Sequence, residues 1–261
     1  MIHICIINHN HDELITKKSM LSDLSERYNI VIKSNTPATE SLKRYCCDSN
    51  IVLLDKSYGY GFSKNNNYVF NYLNSKNLIS TNDHFIVMNP DVEIESDSIE
   101  KLVTLFNKNN TDIGTINLFR DKEYSLYDNS IKQFPSVLTP WLALVKTSRN
   151  DTYDKKAINK PCEIDWAAGS FLIFKAAIFE KLGGFDEDFF MYFEDVDICK
   201  RAAEEGYKIT YFPSIRAIHY AAFANRNIFS KAFKWYLTSY SRYHIKCFNR
   251  QLEKRIKKIF R

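Results

Sequence analysis

Two acidic stretches dominate the residues able to do chemistry. Asn89-Pro90-Asp91 directly follows an apolar run at residues 85–88. Asn and Pro favour turns for local reasons, so a plain turn accounts for the triplet taken alone. A carboxylate at the carboxyl end of a parallel strand, however, faces the crevice where ligands bind. There Asp91 can hold a divalent metal that neutralises a diphosphate. The second stretch runs from Gly183 to Asp197 and holds six carboxylates. Acids favour a helix N-terminus through its dipole, and Asp197 with Arg201 is spaced for an i, i+4 ion pair. Asp195 has Cys199 at that spacing and no such partner. It follows the aromatic run at 189–193 and suits a general base that takes a proton from an alcohol.

Two weaker signals accompany these. His219 closes the stretch that begins at Phe212-Pro213. A lone His after an apolar run is more often structural, although imidazole beside Asp91 would suit Mn²⁺ or a similar ion. Residues 58–67, with Gly59 and Gly61, form a loop running into a helical pattern. Such a loop can cradle phosphate or ribose.

These residues need elements to position them. Apolar runs at 2–7, 30–33, 51–54 and 85–88 read as strands, and they alternate with helical patterns at 14–24, 41–47 and 65–74. That alternation predicts β-α-β units and a parallel sheet covered on both faces. The second half is less regular. Pro135, Pro140 and Pro161 interrupt a polar, aromatic stretch in which one helix is expected near 137–146. A strand at 171–174, a helix at 176–182 ended by Gly183-Gly184, a helix at 196–205 stopped at Gly206 and a strand at 208–212 follow.

The chain has 261 residues, 45% hydrophobic and 26% charged, which is the composition of an ordinary globular protein with one large domain, with or without an appendage. Seven glycines exclude collagen-like and Gly-rich linker readings. The six cysteines show neither a metal-ligand spacing nor a C-x-x-C pair, so free thiols in a reducing cytoplasm are expected. Neither a signal peptide nor a membrane span is expected. The net charge of +5 conceals an asymmetry: residues 226–261 hold eleven Lys or Arg against one acid, Glu253, for a formal +10, which leaves −5 on residues 1–225. This basic, aromatic-rich tail fits an anionic membrane interface, nucleic acid, or a helix that packs its aromatics on the body.

The order of these motifs is more specific than any one of them. Asn89-Pro90-Asp91, then Trp166-Ala167-Ala168-Gly169-Ser170-Phe171, then the Gly183-to-Arg201 stretch, then Phe212-Pro213 with His219 resembles family 2 glycosyltransferases of the GT-A fold over residues 2–225. Gly61-Phe62 with Asn66-Asn67, residues 165–171 and residues 190–197 look most like bacterial rhamnosyltransferases of O-antigen and cell-wall linker assembly, and residues 225–235 extend the likeness.

The resemblance implies an α/β fold: a GT-A domain at 1–225, with a Rossmann-like nucleotide-binding half and a mixed central sheet, plus a basic amphipathic helical tail at 226–261. It implies transfer of a sugar with inversion, L-rhamnose from dTDP-L-rhamnose, onto a lipid-diphosphate-linked sugar such as GlcNAc on undecaprenol diphosphate. A galactofuranosyl or glucosyl donor is the alternative. By the same resemblance Asp195 is the base, and Asp91 and His219 hold Mn²⁺ or Mg²⁺. Asn8, Asn35, Gly61, Asn66 and Asn89 lie on the donor side, with Arg201 beside the diphosphate if Asp197 does not consume it. Trp166, Gly169, Ser170 and Glu194 lie on the acceptor side. The enzyme is expected in the cytoplasm, peripheral on the inner face of the bacterial membrane, its tail on the anionic surface. A nucleic-acid module would have no use for the ordered acid motifs, so no nucleic-acid partner is expected. Two departures stand out: Asn89 where many members have Asp, and Ser34 where many have an Asp that reads the base.

Overall fold

The apolar runs become strands of a single mixed sheet in the computed structural model, which describes residues 1–136, 151–221 and 231–259. The helix expected near 137–146 lies outside the described residues. In chain order the elements are β1 Ile2–Asn8, α1 Asp12–Thr16, α2 Met20–Ser25, β2 Asn29–Ser34, α3 Glu40–Asp48, β3 Val52–Asp55, α4 Phe62–Ser75, β4 His84–Met88, β5 Val92–Glu93, α5 Ser96–Lys108 and β6 Ile113–Phe119. There follow β7 Ile131–Lys132, β8 Cys162–Glu163, β9 Trp166–Ala167, β10 Phe171–Lys175, α6 Ala176–Lys181, α7 Glu194–Glu204, β11 Ile209–His219 and α8 Lys231–Ile259.

The sheet order is β3-β2-β1-β4-β10-β6-β11-β5, with β8 beside β11. The first four strands are parallel, as the β-α-β alternation predicts. Beyond β4 the sheet is mixed: β10 runs antiparallel to both β4 and β6, and β11 runs parallel to β6. Every residue of β4 and β6 is buried, because helices cover both faces. One core packs α1, α2, α3 and α5 on one face through Ile15, Leu24, Leu42 and Phe106. The other packs α4, α6 and α7 on the opposite face through Phe70, Phe179 and Ile198.

Two boundaries differ from the sequence pattern, each for a local reason. The helical pattern at 14–24 breaks into α1 and α2 because the Tyr45 hydroxyl inserts between them, donating to Lys18 O at 3.0 Å and accepting from Ser22 N at 3.2 Å. The strand expected at 208–212 continues to His219 through a bulge between Phe212 and Arg216 that accommodates Pro213. The tail is one long helix laid against the body: Tyr243 and Cys247 of α8 join Phe189, Phe193 and Val196 in a third apolar cluster. Among the described residues no helix is long and apolar enough to cross a membrane.

Candidate active site

The metal site expected at Asp91 and His219 is assembled by strand pairing. At the end of β11, His219 lies opposite Val92 of β5, and Tyr220 N donates to Asp91 O at 3.2 Å. His219 Nε2 then faces Asp91 Oδ1 across 3.5 Å, while Nδ1 is 2.6 Å from Asp128 Oδ2. Burial pulls the imidazole down, but its bonds to Asp128 and Asp91 outweigh this and lift it to about 9. The same bonds hold both carboxyls below their usual range against the opposing effect of burial. Asp128 is a residue that sequence reasoning missed; it sits in a polar loop far from either partner in the chain and is fixed by Asp128 N donating to Leu118 O at 2.9 Å.

One carboxylate, one imidazole and a second carboxylate orienting that imidazole make the donor set of a divalent-metal site. Among the described residues no group of three or more His, Cys, Asp or Glu side chains converges in ligand geometry. The residues present would fit an ion that takes two ligands from the protein, Asp91 and His219. Asn89 adds no charge to this set.

Asp195 stands in the first turn of α7, where the helix dipole favours an anion. Its carboxylate is half-buried. Gly169 N donates to Oδ2 at 3.0 Å and Val196 N to Oδ1 at 2.8 Å. Burial raises the Asp195 carboxyl above its ordinary range, although these N–H groups and the charge of Lys132 oppose the shift. Glu194 is buried with Oε2 unpartnered, and burial together with the neighbouring Asp195 charge raises it well above its ordinary value. Both carboxyls are thus raised, Glu194 the further of the two.

Gly169 reaches Asp195 through its backbone. A Cβ there would lie 2.9 Å from the Phe62 ring, so any side chain would have to push that ring aside. Ser170 O accepts from Asn89 N at 3.0 Å, which ties the Asn89-Pro90-Asp91 turn to the segment that bonds Asp195. The Ser170 hydroxyl is buried and unpartnered. Trp166 is half-buried beside Lys132, whose Nζ lies 5.6 Å from its ring centroid, and its Nε1 donates to Gln133 O at 2.8 Å.

On the donor side the expected residues act mostly as internal ties. Asn8 is fully buried, donating from Nδ2 to Asp12 Oδ1 and Ser34 Oγ, each at 2.8 Å, and accepting from His11 N at 2.9 Å. Asn35 grips the Tyr60 backbone from both amide atoms, at 2.9 Å each. Asn66 is buried between Phe62 O at 2.9 Å and Cys5 Sγ at 3.2 Å. These three tie together the loops in which they were expected to meet the donor, and each amide bonds within the protein. Ser34 likewise donates to Thr36 O at 2.8 Å. Gly61 serves a close approach: a Cβ would fall 2.2 Å from Phe190 O, the carbonyl that accepts from Phe62 N at 2.9 Å. Asp12 was not singled out by the sequence, although it is one helical turn from Asn8 and also accepts from Thr39 N at 2.7 Å.

The diphosphate role expected for Arg201 gives way to a structural one. Its Nε donates to Asp197 Oδ2 at 2.7 Å, and its two terminal nitrogens donate to Leu182 O at 2.5 Å and Gly184 O at 2.8 Å. Asp197 consumes it, and Arg201 anchors the turn at Gly183-Gly184.

No family model matches the chain. It is 35% identical over 249 residues to rhamnosyltransferase WbbL of Escherichia coli, covering 93% of this chain and 92% of that protein. It is 30% identical over 154 residues to the N-acetylglucosaminyl-diphospho-decaprenol L-rhamnosyltransferase of Mycobacterium tuberculosis, covering 54% of this chain and 48% of the relative. Among solved structures it is similar to GalNAc-T7 with UDP, GalNAc and Mn²⁺, with a TM-score of 0.61 and 15% identity over 93% of this chain. It spans about half of that structure, 47%. At this identity the likeness is one of fold, and the fold is GT-A.

Proposed function

Since the chain belongs to the rhamnosyltransferase family of GT-A glycosyltransferases that includes WbbL, we propose that it moves L-rhamnose from dTDP-L-rhamnose onto GlcNAc carried by a polyprenyl diphosphate. The name of the mycobacterial relative supports this acceptor class. The observation that carries the reading is a convergence. Phe62, Asn89, Gly169-Ser170, Phe190 and Asp195 are joined by close contact or hydrogen bond, so the donor loop, metal turn, acceptor segment and base of this reading meet in one place.

In this reading Asp195 takes the proton of the acceptor hydroxyl while that oxygen attacks the anomeric carbon opposite the departing diphosphate. Inversion follows from the single displacement, and a protein nucleophile is not needed. Burial makes Asp195 a stronger base than a solvated aspartate, and the N–H groups of Gly169 and Val196 fix its two oxygens. Asp91 and His219 would hold a divalent ion, Mn²⁺ or Mg²⁺, and the chemistry it would supply is charge neutralisation of the diphosphate. Asp128 orients His219 toward that position. A lipid-borne acceptor places the enzyme on the cytoplasmic face of the membrane, with α8 as the contact.

The test is product analysis with purified protein, dTDP-rhamnose and a GlcNAc-diphosphate-lipid analogue, with and without Mn²⁺ or Mg²⁺. A rhamnosylated, metal-dependent product is expected. Asp195→Asn should lose about 10²- to 10⁴-fold in rate and keep donor binding; turnover retained in that variant would remove Asp195 from its role. Turnover of a galactofuranosyl or glucosyl donor in place of dTDP-rhamnose would overturn the sugar assignment and leave the machinery standing.

A further inference from the structure

Helix α8 has two unlike faces. The inner face packs Tyr243 and Cys247 against Phe189, Phe193 and Val196, and Ser239 Oγ donates to Met191 O at 2.9 Å. The outer face exposes Leu237, Ile245, Phe248, Leu252 and Ile256. With about 3.6 residues per turn, these five fall in one stripe roughly 100° wide, diametrically opposite Ser239, Lys246 and Arg250. Ile245 and Phe248 at its middle are 60% and 64% exposed, more than a soluble helix needs to concede.

The cations divide the same way. Arg242 donates to Asp188 O, Lys246 bridges Asp186 and Asp188 at 2.6 Å each, Arg250 pairs with Asp197 at 3.0 Å, and Lys254 reaches Glu204 at 3.5 Å. Lys234, Arg255, Lys257 and Lys258 have no anionic partner among the described residues. Lys234 and Arg255 lie within the span of the apolar stripe.

We infer that this stripe is the surface on which the protein docks to an anionic lipid bilayer, with α8 lying flat, its apolar side chains in the acyl boundary and its free cations among the headgroups. The inference rests on the lipid-linked acceptor proposed above and adds which face meets the lipid. Charge selects the occupant. A second copy packed symmetrically on this face would bring the Lys234 and Arg255 cations against their own kind, whereas anionic headgroups complement them. The inner face of the helix grips the segment that carries Asp195, so lipid and base loop are separated by about one helix diameter, roughly 10 Å. That spacing suits an acceptor whose reacting sugar follows directly on a membrane-anchored diphosphate.

Co-sedimentation of the full chain with vesicles of phosphatidylcholine alone, or with added phosphatidylglycerol, tests the assignment. The comparison is a variant carrying Ile245→Ser, Phe248→Ser and Leu252→Ser, whose unchanged melting temperature would verify its fold. The expected result is salt-sensitive binding to the anionic vesicles that falls by at least about tenfold in the variant. Equal binding by both proteins, or no binding by either, would overturn the docking surface. A concentration-dependent dimer abolished by the variant, without vesicle binding, would assign the stripe to a second copy. Transfer to a soluble GlcNAc-diphosphate analogue, measured on both proteins, separates the two readings: failed transfer with stripe-dependent binding refutes the proposed reaction alone.

Discussion

Replacing Arg250 with Met asks whether α8 is needed to hold Asp195, the base proposed above. Tyr192 and Phe193, immediately before Glu194-Asp195, adopt left-handed backbone with φ of 69° and 68°. That conformation costs an L residue about 1–2 kcal/mol, so roughly 2–4 kcal/mol of strain sits at the entrance to α7 and must be offset by contacts. Helix α8 provides them: the Phe193 ring meets Tyr236, Tyr240 and Tyr243 at centroid distances of 5.4, 5.6 and 5.6 Å. Arg250 locks this docking from the far side of α7 by donating to the fully buried Asp197 at 3.0 Å and pairing with Glu204 at 3.2 Å. Leaving a buried charge without its partner costs about 3–5 kcal/mol. Here Arg201 stays on the other Asp197 oxygen at 2.7 Å and Arg250 is 23% exposed, so about 2 kcal/mol is expected. This matches the strain in size and should let the 190–195 segment relax. Transfer kinetics should then show kcat reduced about tenfold or more, donor KM changed by less than about twofold, and a lowered melting temperature. Asp197→Asn in the same chain should recover part of the thermal stability by removing the orphaned charge. A normal kcat in a variant of lowered melting temperature would refute the reasoning, because Asp195 would then be held without α8.

Asp128→Asn keeps the shape at His219 but removes the charge that orients its ring; Mn²⁺ titration should show affinity weakened by about 10- to 100-fold, and unchanged affinity would exclude Asp128 from the site. Gly61→Ala places a methyl 2.2 Å from the Phe190 carbonyl, a backbone atom that cannot rotate away, so both melting temperature and transfer should fall, and a variant of full activity would contradict the close approach. Burial lifts the Asp195 carboxyl above its ordinary value of 3.8 while the nearby Lys132 charge lowers it, and only the ionised form accepts a proton. The rate should therefore drop on acidification with a midpoint above that value. Lys132→Ala should move the midpoint to higher pH, and a midpoint indifferent to Lys132 would dissociate the limb from Asp195.

Legibility in the sequence followed how local the cause was. Strands β1, β2 and β4 were readable because burial on both faces demands near-continuous apolar runs, and each is a stretch of consecutive residues. The direction of β10 was not readable from its pattern, since Phe171-Leu172-Ile173-Phe174 looks alike whichever way it runs; the mixed sheet was anticipated only through family resemblance. At the site, Asp195 stood out because its helical neighbour Cys199 gave it no ion-pair role. Asp128 did not stand out, because its meaning depends on His219, 91 residues further on. Asn8, Asn35 and Asn66 were expected to face the donor, and in the fold their amides bond within the protein; composition could not tell an amide that meets a ligand from one that ties a loop.

The charge asymmetry shows most clearly where counting residues misleads. A tail of formal +10 beside a body of −5 reads as two surfaces with different partners. In the fold the acids of the body and half of the helix's described cations find each other: Asp186, Asp188, Asp197 and Glu204 are the partners of Arg242, Lys246, Arg250 and Lys254. Three of those four acids were counted among the six carboxylates that first suggested chemistry. Their work is to seat α8 on the catalytic segment. Asp195, in the same stretch, is held instead by the backbone N–H groups of Gly169 and Val196, which leaves its carboxylate available for the role of base proposed above.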